Sequence, residues 1–388
     1  YFNKHMGLIL EMEGKELFEK YNIPLSKSKL VKNEIDAKLA AEELGLPVAI
    51  KAQVLSGGRG KRGLIKIANS QEEVVNFSLD ILKMTDTKSN KPVTHLLIEE
   101  AANIQQEIFI SMIFDSHTLE TLVLFSMEGG VDIEELAETN PDAIETIRVP
   151  FGKDVHGYTF MNILAKRGMK GTNKIVTANI IATMVKMMRL EDLSLCEINP
   201  LVITKSNEVI ALDARVIVDD NAIFKHPNRE KFLSQELRYT SAEKEAKDAD
   251  LSYVNLGGEI GMLSVGAGLG MATADLIAEF GGSPLNFLDV GGGAGEEKVL
   301  KALEIMVKDK GLKSILINAF GGITRLDQVA EGIISARNKL NLQIPLIIRL
   351  MGTNQKEGIK ILENQGLQAF EEMEPAIQAA VEAAKGVN

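Results

Sequence analysis

The chain has 388 residues, of which 45% are hydrophobic and 25% charged, so it holds enough apolar side chains for two or three domains and is not compositionally disordered. Its net charge of −11 argues against nucleic acid as a partner, and no apolar run is long enough to span a bilayer. The single cysteine, Cys196, excludes an intrachain disulfide framework and indicates a reducing compartment, for which we expect the cytoplasm.

Helices and strands alternate through the first half of the chain. The apolar periodicity and the end signals predict helices over 11–21 and 35–44, and a third helix capped by Ser70. A long helix over 173–190 contains no glycine or proline, and its Met, Ile and Val residues indicate core. The predicted strands of this half cover 48–52, 95–99, 107–114 and 122–126.

A glycine-rich, basic loop lies between two short apolar runs within residues 50–67. Lys51, Arg59, Lys61 and Arg62 supply positive charge, and the glycines let backbone N–H groups approach an anion closely. The P-loop pattern does not fit, because an alternating run typical of a strand follows where a P-loop has Ser or Thr and a helix. We therefore predict a hairpin lid over nucleotide phosphates, with Lys51 as a fixed cation. The alternative is a flexible surface turn.

A short connection, residues 100–106, joins two of the predicted strands. In an enzyme whose lid covers phosphates, such a connection is where a purine binds to backbone groups. The carboxylate of Glu107 then lies near the ribose. The alternative is an ordinary connection between strands.

Two runs, 195–204 and 209–215, alternate apolar and polar residues around a short polar turn and predict a hairpin. Glu197, Asn199 and Asp213 interrupt the apolar pattern. Oxygen-bearing side chains on adjacent strands suit Mg²⁺, which takes one or two protein ligands and completes its shell with water and phosphate. No His or Cys cluster indicates zinc. The alternative is a solvated edge of a sheet.

The hydrophobic pattern of the sequence changes after a charged stretch, residues 225–250, which we interpret as a linker. Short, almost wholly apolar runs then alternate with segments of helix length, which predicts a parallel, doubly wound sheet. Each run ends in glycine, and glycine loops at the carboxyl ends of parallel strands bind anions. We expect a carboxylate or phosphate site there; the alternative is tight turns without a ligand. The runs are 260–265, 285–290, 314–319 and 345–350.

Six motifs together resemble the succinyl-CoA synthetase beta-subunit family, and the resemblance runs from about Met6 to the C-terminus. The motifs are KELFEKYNIP, GGRGKRG, SMEGGVDIEE, CEINPLVIT, LDVGGGAGEEKV and NAFGGITRLD. The resemblance implies an α/β chain with an N-terminal ATP-grasp domain over 6–240. It further implies a flavodoxin-like CoA-ligase domain over 251–388 that carries a power helix at the active site.

The resemblance also implies site residues. For the nucleotide they are Lys51, Gly58, Arg59, Gly60, Glu99, Ala102 and Glu107. Asn199 and Asp213 match the family's Mg²⁺ ligands. The matches to the acid-substrate site are Ser264, Val265, Gly321, Gly322, Ile323 and Thr324.

Family chemistry passes a phosphoryl group from ATP or GTP to a histidine, then to the carboxylate of a short acid, and CoA displaces it. None of the histidines, His5, His95, His117, His156 and His226, lies in a glycine-rich loop. We therefore expect no phosphorylated histidine in this chain. The phosphohistidine and the CoA site should belong to a separate alpha subunit, in a heterodimer or heterotetramer, and this chain should be inactive alone.

Departures from the family pattern leave the acid and the nucleotide open. Val265 stands where the family usually has an asparagine that donates to the acid, and Thr324 adds a hydroxyl. The two departures are explained either by a different acid, sulfoacetate or malate instead of succinate, or by neutral drift with a compensating contact from the partner. Ser26 fits neither the ATP-preferring nor the GTP-preferring pattern, so ATP is favoured only because it is the commoner nucleotide substrate.

Two other functional classes compete with an ADP-forming carboxylate–CoA ligase subunit. One is a non-catalytic, nucleotide-sensing partner, against which the presence of Lys51, Asn199 and Asp213 counts. The other is a different ATP-grasp ligase, citrate-activating or carboxylating.

Overall fold

The computed structural model of the chain describes residues 7–88 and 91–386 and divides it into two units, with the division between Arg238 and Tyr239. His5 and Met6 lie outside the described residues. Within those residues, no helix combines the length and the apolar character that crossing a membrane needs.

The first unit contains helices and antiparallel strands. Its helices are α1 (Glu11–Lys20), α2 (Glu34–Leu44), α3 (Gln71–Leu82), α4 (Ile133–Thr139), α5 (Met161–Lys166), α6 (Gly171–Leu190) and α7 (Leu233–Arg238). Its strands are β1 (Ser28–Val31), β2 (Val48–Ala52), β3 (Ile65–Ala68), β4 (Thr85–Asp86), β5 (Lys91–Pro92), β6 (Leu96–Glu100), β7 (Ile104–Asp115), β8 (Glu120–Ser126), β9 (Glu145–Pro150), β10 (Leu193–Thr204), β11 (Val209–Ala211) and β12 (Arg215–Val218).

Two main sheets organise this unit. One has the order β1-β6-β2-β3 and buries its apolar face against α2 and α3. The other has the order β11-β10-β7-β8-β9, with β12 also paired to β10, and it packs on the long helix α6. The Met side chains of α6 are buried in that core, as the sequence predicts. The predicted strand at 48–52 and the cap at Ser70 are also confirmed.

A polar network around the buried Glu191 connects the end of α1 to the end of α6. Glu191, at the end of α6, receives hydrogen bonds from Lys20 Nζ and Tyr21 Oη, each at 2.6 Å. Arg229 Nη2 donates to the same carboxylate at 2.5 Å. Burial opposes the charge of this carboxylate, but these hydrogen bonds and the Lys20 and Arg229 charges hold the pKa of Glu191 below its ordinary value.

The second unit is a doubly wound α/β layer. Its helices are α8 (Ser241–Asp248), α9 (Ala267–Glu279), α10 (Glu296–Met306), α11 (Leu326–Leu340), α12 (Gln355–Glu363) and α13 (Met373–Lys385). Its strands are β13 (Ser252–Asn255), β14 (Ile260–Ser264), β15 (Asn286–Asp289), β16 (Ser314–Gly321), β17 (Leu346–Gly352) and β18 (Ala369–Phe370).

The sheet of the second unit has the order β13-β15-β14-β16-β17-β18. The pairs from β15 to β18 are parallel, and their order is the 2-1-3-4-5 arrangement of flavodoxin-like folds. Separate apolar cores lie on its two faces, as expected for helices wound on both sides. The predicted fold class is therefore confirmed, with one antiparallel edge strand, β13, added.

Two local interpretations of the sequence were wrong. The stretch 225–250 is not a plain linker, because it contains α7 and α8. Thr240 caps α8 in a capping box with Glu243, and Ala246 on the same helix is fully buried, so its many charges occupy only the outer face. The second arm of the predicted hairpin, 209–215, is also not one strand, because β11 ends at Ala211 and β12 begins at Arg215.

Candidate functional site

The glycine-rich loop forms a hairpin between β2 and β3, as predicted. The strands pair antiparallel with Lys51 opposite Ile65, and the loop includes a short 3-10 turn over Gly60–Arg62. Gly58 has a φ of 74°, in the left-handed region that glycine enters without steric cost. Because the loop returns into a strand, it is not a P-loop. We call the residues from Ser56 to Gly63 the lid.

A cavity of about 220 Å³ lies beside this hairpin in the first unit. Among the residues assigned to nucleotide and metal, those that line it are Lys51, Arg59, Glu99, Ala102, Glu107, Asn199 and Asp213. The apolar part of the wall is made by Ala49, Ile65, Ile67, Ala101, Ile104, Pro200 and Leu212. Gly58 and Gly60 lie in the lid and do not line the cavity. Cations, oxygen donors and apolar surface therefore meet in one place, as a nucleotide requires.

Six charged side chains form one connected group at the cavity, which we call the ion cluster: Glu11, Lys15, Lys51, Arg59, Glu99 and Asp213. Lys51 Nζ lies 3.0 Å from Glu11 Oε1, contacts the Glu99 carboxylate, and donates to the Leu212 carbonyl at 2.6 Å. Lys15 Nζ lies 2.6 Å from Glu99 Oε1. Three acids and three bases balance the charge of the cluster.

Arg59 extends from the lid into this cluster. Its Nη1 lies 2.5 Å from Glu11 Oε2, and its Nη2 donates to Asp213 Oδ1 at 2.8 Å. Burial opposes its charge and that of Lys51, but the surrounding carboxylates outweigh burial and hold the pKa of Lys51 above its ordinary value. Both side chains therefore remain cations at neutral pH.

The short connection between β6 and β7 lies at the cavity wall, although it is shorter than predicted. Only Ala101, Ala102 and Asn103 separate the two strands. The carboxylate of Glu99 belongs to the ion cluster, since it binds Lys15 and Lys51. The Glu99 side chain therefore lines the cavity while its charge is paired with two lysines of the chain.

A tight glycine turn after β8 contacts both Glu107 and Asn199, which lie on the paired strands β7 and β10. Gly130 N–H donates to Asn199 Oδ1 at 2.8 Å, and Asn199 Nδ2 donates to the Val131 carbonyl at 3.1 Å. Gly130 has a φ of 70°, and a methyl group on its α-carbon would overlap the Glu107 carboxylate. The glycines of the SMEGG motif are therefore needed for this close approach.

The donor chemistry at this wall fits Mg²⁺. The Asp213 side chain is 31% exposed, and the amide oxygen of Asn199 has a second lone pair beyond the bond from Gly130. Within the described residues no group of three or more His, Cys, Asp or Glu side chains could hold a metal alone. One or two oxygen ligands beside a polyphosphate is the arrangement that Mg²⁺ accepts. Glu197 lies 3.7 Å from Arg215 and does not line the cavity.

The four described histidines have other surroundings. His95 is buried beside Thr94, His226 Nε2 lies 2.8 Å from Asp192 Oδ2, His156 stacks on Tyr158, and His117 is exposed. In the described part of the chain, none of them lines the cavity.

The residues assigned to the acid lie at the carboxyl edge of the second unit's sheet, and they differ in exposure. Ile323 is 89% exposed, whereas Val265 is buried in the core. Ser264 Oγ donates to the Leu288 carbonyl at 2.9 Å, so this hydroxyl is engaged inside the sheet.

The loop after β16 is fixed by its neighbours. The Gly293 N–H donates to Thr324 Oγ1 at 2.8 Å, and the Thr353 hydroxyl donates to the Gly322 carbonyl at 2.8 Å. Gly321 ends β16, and a side chain there would overlap the Thr324 backbone. The Thr324 hydroxyl thus holds two glycine loops of this edge together.

Sequence reasoning missed Glu11 and Lys15. Both lie on α1, four residues apart, and both are buried within the ion cluster. One sequence signal is a pair of opposite charges at helical spacing, which is ordinarily a surface pair. The other is that Lys15 begins the KELFEKYNIP motif.

Comparisons with known proteins match this architecture. The ATP-grasp domain family matches residues 8–203, and the CoA-ligase family matches residues 263–383. The succinate–CoA ligase [ADP-forming] subunit beta of Ralstonia nicotianae is 43% identical over 387 residues, covering 97% of this chain and 99% of that protein. The protein of the same name from Paraburkholderia xenovorans is 42% identical over 389 residues, with the same coverage.

Among solved structures, ATP citrate lyase from Methanothrix soehngenii, in complex with citrate and coenzyme A, superimposes with a TM-score of 0.77. The alignment covers 97% of this chain and 99% of that one at 19% identity, so it supports the shared fold alone. Near-complete coverage at more than 40% identity, with both family matches in order, shows that this chain belongs to the succinate–CoA ligase beta-subunit family of ATP-grasp ligases.

Proposed function

We propose that the chain is the nucleotide-binding subunit of an ADP-forming succinate–CoA ligase and that its cavity takes Mg²⁺-ATP. The observation that carries this proposal is the convergence of Lys51, Arg59, Asn199 and Asp213 on one cavity with an apolar wall. Lys51 and Arg59 attract and orient the phosphates, with backbone groups of the lid at Gly58 and Gly60. The apolar wall near Ala102 covers the base.

Other residues of the same wall complete the nucleotide site. Glu107, held in place by the Gly130 turn, accepts hydrogen bonds from the ribose. The backbone at Glu99 and the connection after it face the base, while the Glu99 carboxylate keeps Lys15 and Lys51 charged and fixed. ATP is proposed over GTP because the relatives of this chain carry ADP-forming names.

Asn199 and Asp213 would hold the Mg²⁺. The ion, when bound, neutralises phosphate charge and so eases departure of the terminal phosphoryl group. Asp213 is now paired with Arg59 at 2.8 Å, and Arg59 is long enough to turn from this carboxylate to a phosphate.

The acid is proposed to bind at the carboxyl edge of the second unit's sheet, by the loop Gly321, Gly322, Ile323 and Thr324, near Ser264 and Val265. Succinate is favoured over sulfoacetate and malate because the relatives are named for succinate. The added hydroxyl of Thr324 also has a partner within the chain, the Gly293 N–H, so it need not signal another acid.

The phosphorylated histidine and the CoA site are proposed to lie in a separate alpha subunit, in a heterodimer or heterotetramer. The support is the location of the described histidines away from the cavity. We also place the protein in a reducing compartment such as the cytoplasm, since Cys196 is its one cysteine and is a free thiol.

The test is reconstitution of the chain with its cognate alpha subunit, ATP, Mg²⁺, CoA and separate acids. The expected result is succinyl-CoA and ADP in equal amounts, with turnover on malate and sulfoacetate far lower. A pair that binds ATP but turns over no small acid would contradict the proposal. Omission of the alpha subunit is the matched control and should abolish turnover.

A further inference from the structure

One carboxylate outside the cavity contacts both Lys51, which we call the floor cation, and Arg59 of the lid. Glu11 is the first residue of α1, is 4% exposed, and does not line the cavity. Its Oε1 lies 2.9 Å from Lys15 Nζ and 3.0 Å from Lys51 Nζ, and its Oε2 lies 2.5 Å from Arg59 Nη1. A single buried carboxylate therefore holds three cations from three separate segments of the chain.

The lid has three basic side chains, and their partners differ in kind. Lys61 is exposed and lies 3.3 Å from Asp132 and 3.5 Å from Glu135, in solvent where such pairs contribute little. Arg62 contacts Asp86, away from the cavity. Arg59 alone among the three shares its carboxylate partner with the floor cation Lys51.

We propose that Glu11 is a positioning residue that fixes the spacing between lid Arg59 and floor Lys51, so that α1 sets how well the cavity is prepared for a polyphosphate. The inference rests on the proposed nucleotide function. Two cations approaching the same phosphates repel one another, and a carboxylate between them removes that repulsion before the ligand arrives. A site prepared in this way loses less conformational freedom on binding.

Glu11→Asp is the most direct test, because it keeps the charge and removes one methylene. A carboxylate withdrawn by about 1.5 Å cannot meet all three cations at hydrogen-bond distance. We expect Mg²⁺-ATP to bind about tenfold more weakly in calorimetry, which corresponds to the loss of one charged hydrogen bond. In the reconstituted ligase, KM for ATP should rise while KM for the acid and for CoA stays unchanged.

Limited proteolysis by trypsin gives a readout that needs no nucleotide. Arg59 loses its contact with Glu11 but keeps Asp213 as a partner, so the lid is held less firmly. Cleavage within the lid, located by mass spectrometry, should therefore increase in the full chain without ligand. Glu11→Gln, which keeps the volume of the side chain, serves as a second variant for this measurement if Glu11→Asp folds poorly.

The matched control is Glu13→Asp. Glu13 is 2% exposed on the same helix, but its carboxylate accepts from the backbone of Leu10 and Ser234 instead of from the ion cluster. Glu13→Asp should lower thermal stability without changing lid cleavage or ATP affinity.

The inference is overturned if Glu11→Asp matches the wild type in both measurements, or if the Glu13 variant changes them equally. If the wild type does not bind Mg²⁺-ATP, the proposed function fails, and lid cleavage still decides the role of Glu11.

Discussion

Removal of Lys51 should separate the structural role of the ion cluster from its role in binding. Lys51→Met keeps much of the aliphatic stem but deletes a buried ammonium that contacts Glu11, Glu99 and the Leu212 carbonyl. The cluster then holds three acids and two bases, with one uncompensated negative charge. Breaking a buried ion pair in this way costs about 3 to 5 kcal/mol.

A second change should restore most of that stability. Glu99→Gln in the Lys51→Met background returns the cluster to two acids and two bases, and Lys15 still finds Glu11 at 2.9 Å. We expect a coupling of about 1 to 3 kcal/mol between the two substitutions, because they contact one another directly. Mg²⁺-ATP should bind weakly to the single and the double variant alike, since neither has the floor cation.

Urea denaturation followed by circular dichroism measures the stabilities, because the chain has no tryptophan for fluorescence. Lys66→Met on β3 is the control: its pair with Asp80, at 3.1 Å, is partly exposed and should contribute less than about 1 kcal/mol. The reasoning fails if Lys51→Met is as stable as the wild type, or if the double variant binds Mg²⁺-ATP normally.

Three further substitutions test the cavity wall, the core and the acid site. Gly130→Ala should weaken ATP binding in calorimetry by displacing the Glu107 carboxylate, with global stability reduced less than affinity. Glu191→Gln should cost about 3 kcal/mol at neutral pH, since it breaks a buried network. Because the pKa of Glu191 is lowered in the folded state, the carboxylate contributes its full stabilisation above the unfolded pKa of about 4.3 and loses it as the pH falls. The denaturation midpoints of the wild type and the variant should therefore converge in acid. Thr324→Val should raise KM for the acid without changing ATP affinity, because it releases the Gly293 loop.

The sequence predicted the parallel strands of the second unit's sheet because their signals are local. Runs such as 314–319 are mostly apolar, which is typical of a strand covered by helices on both sides, and the structure places them in one parallel sheet. The hairpin could also be predicted from the sequence, because the alternation at 64–67 argued against a helix after the glycines. Local periodicity therefore predicted these strands and their parallel, doubly wound sheet, whereas the ATP-grasp fold of the first unit was implied by the resemblance.

Long-range partners could not be predicted in the same way. Glu99 and Glu100 are adjacent on β6, and strand alternation sends them to opposite faces without saying which face meets cations. The structure buries Glu99 against Lys15, which is 84 positions away, and leaves Glu100 exposed. The charged stretch 225–250 was misinterpreted for a related reason: its buried positions are few, and its ion pairs, such as Arg238 with Asp220, form only in the folded unit.

Thr324 illustrates how a substitution at a motif position can have a partner within the chain. Considered alone, an added hydroxyl beside an acid site suggests a new contact to substrate. In the fold that oxygen accepts the Gly293 N–H at 2.8 Å, and Thr324 is 2% exposed, so the hydroxyl connects two loops of the chain. Glu11 is comparable at the nucleotide cavity, because it does not line the cavity but contacts Lys51 and Arg59, which do. The partners of both side chains, Gly293 for Thr324 and Lys51 and Arg59 for Glu11, are therefore seen only in the tertiary contacts.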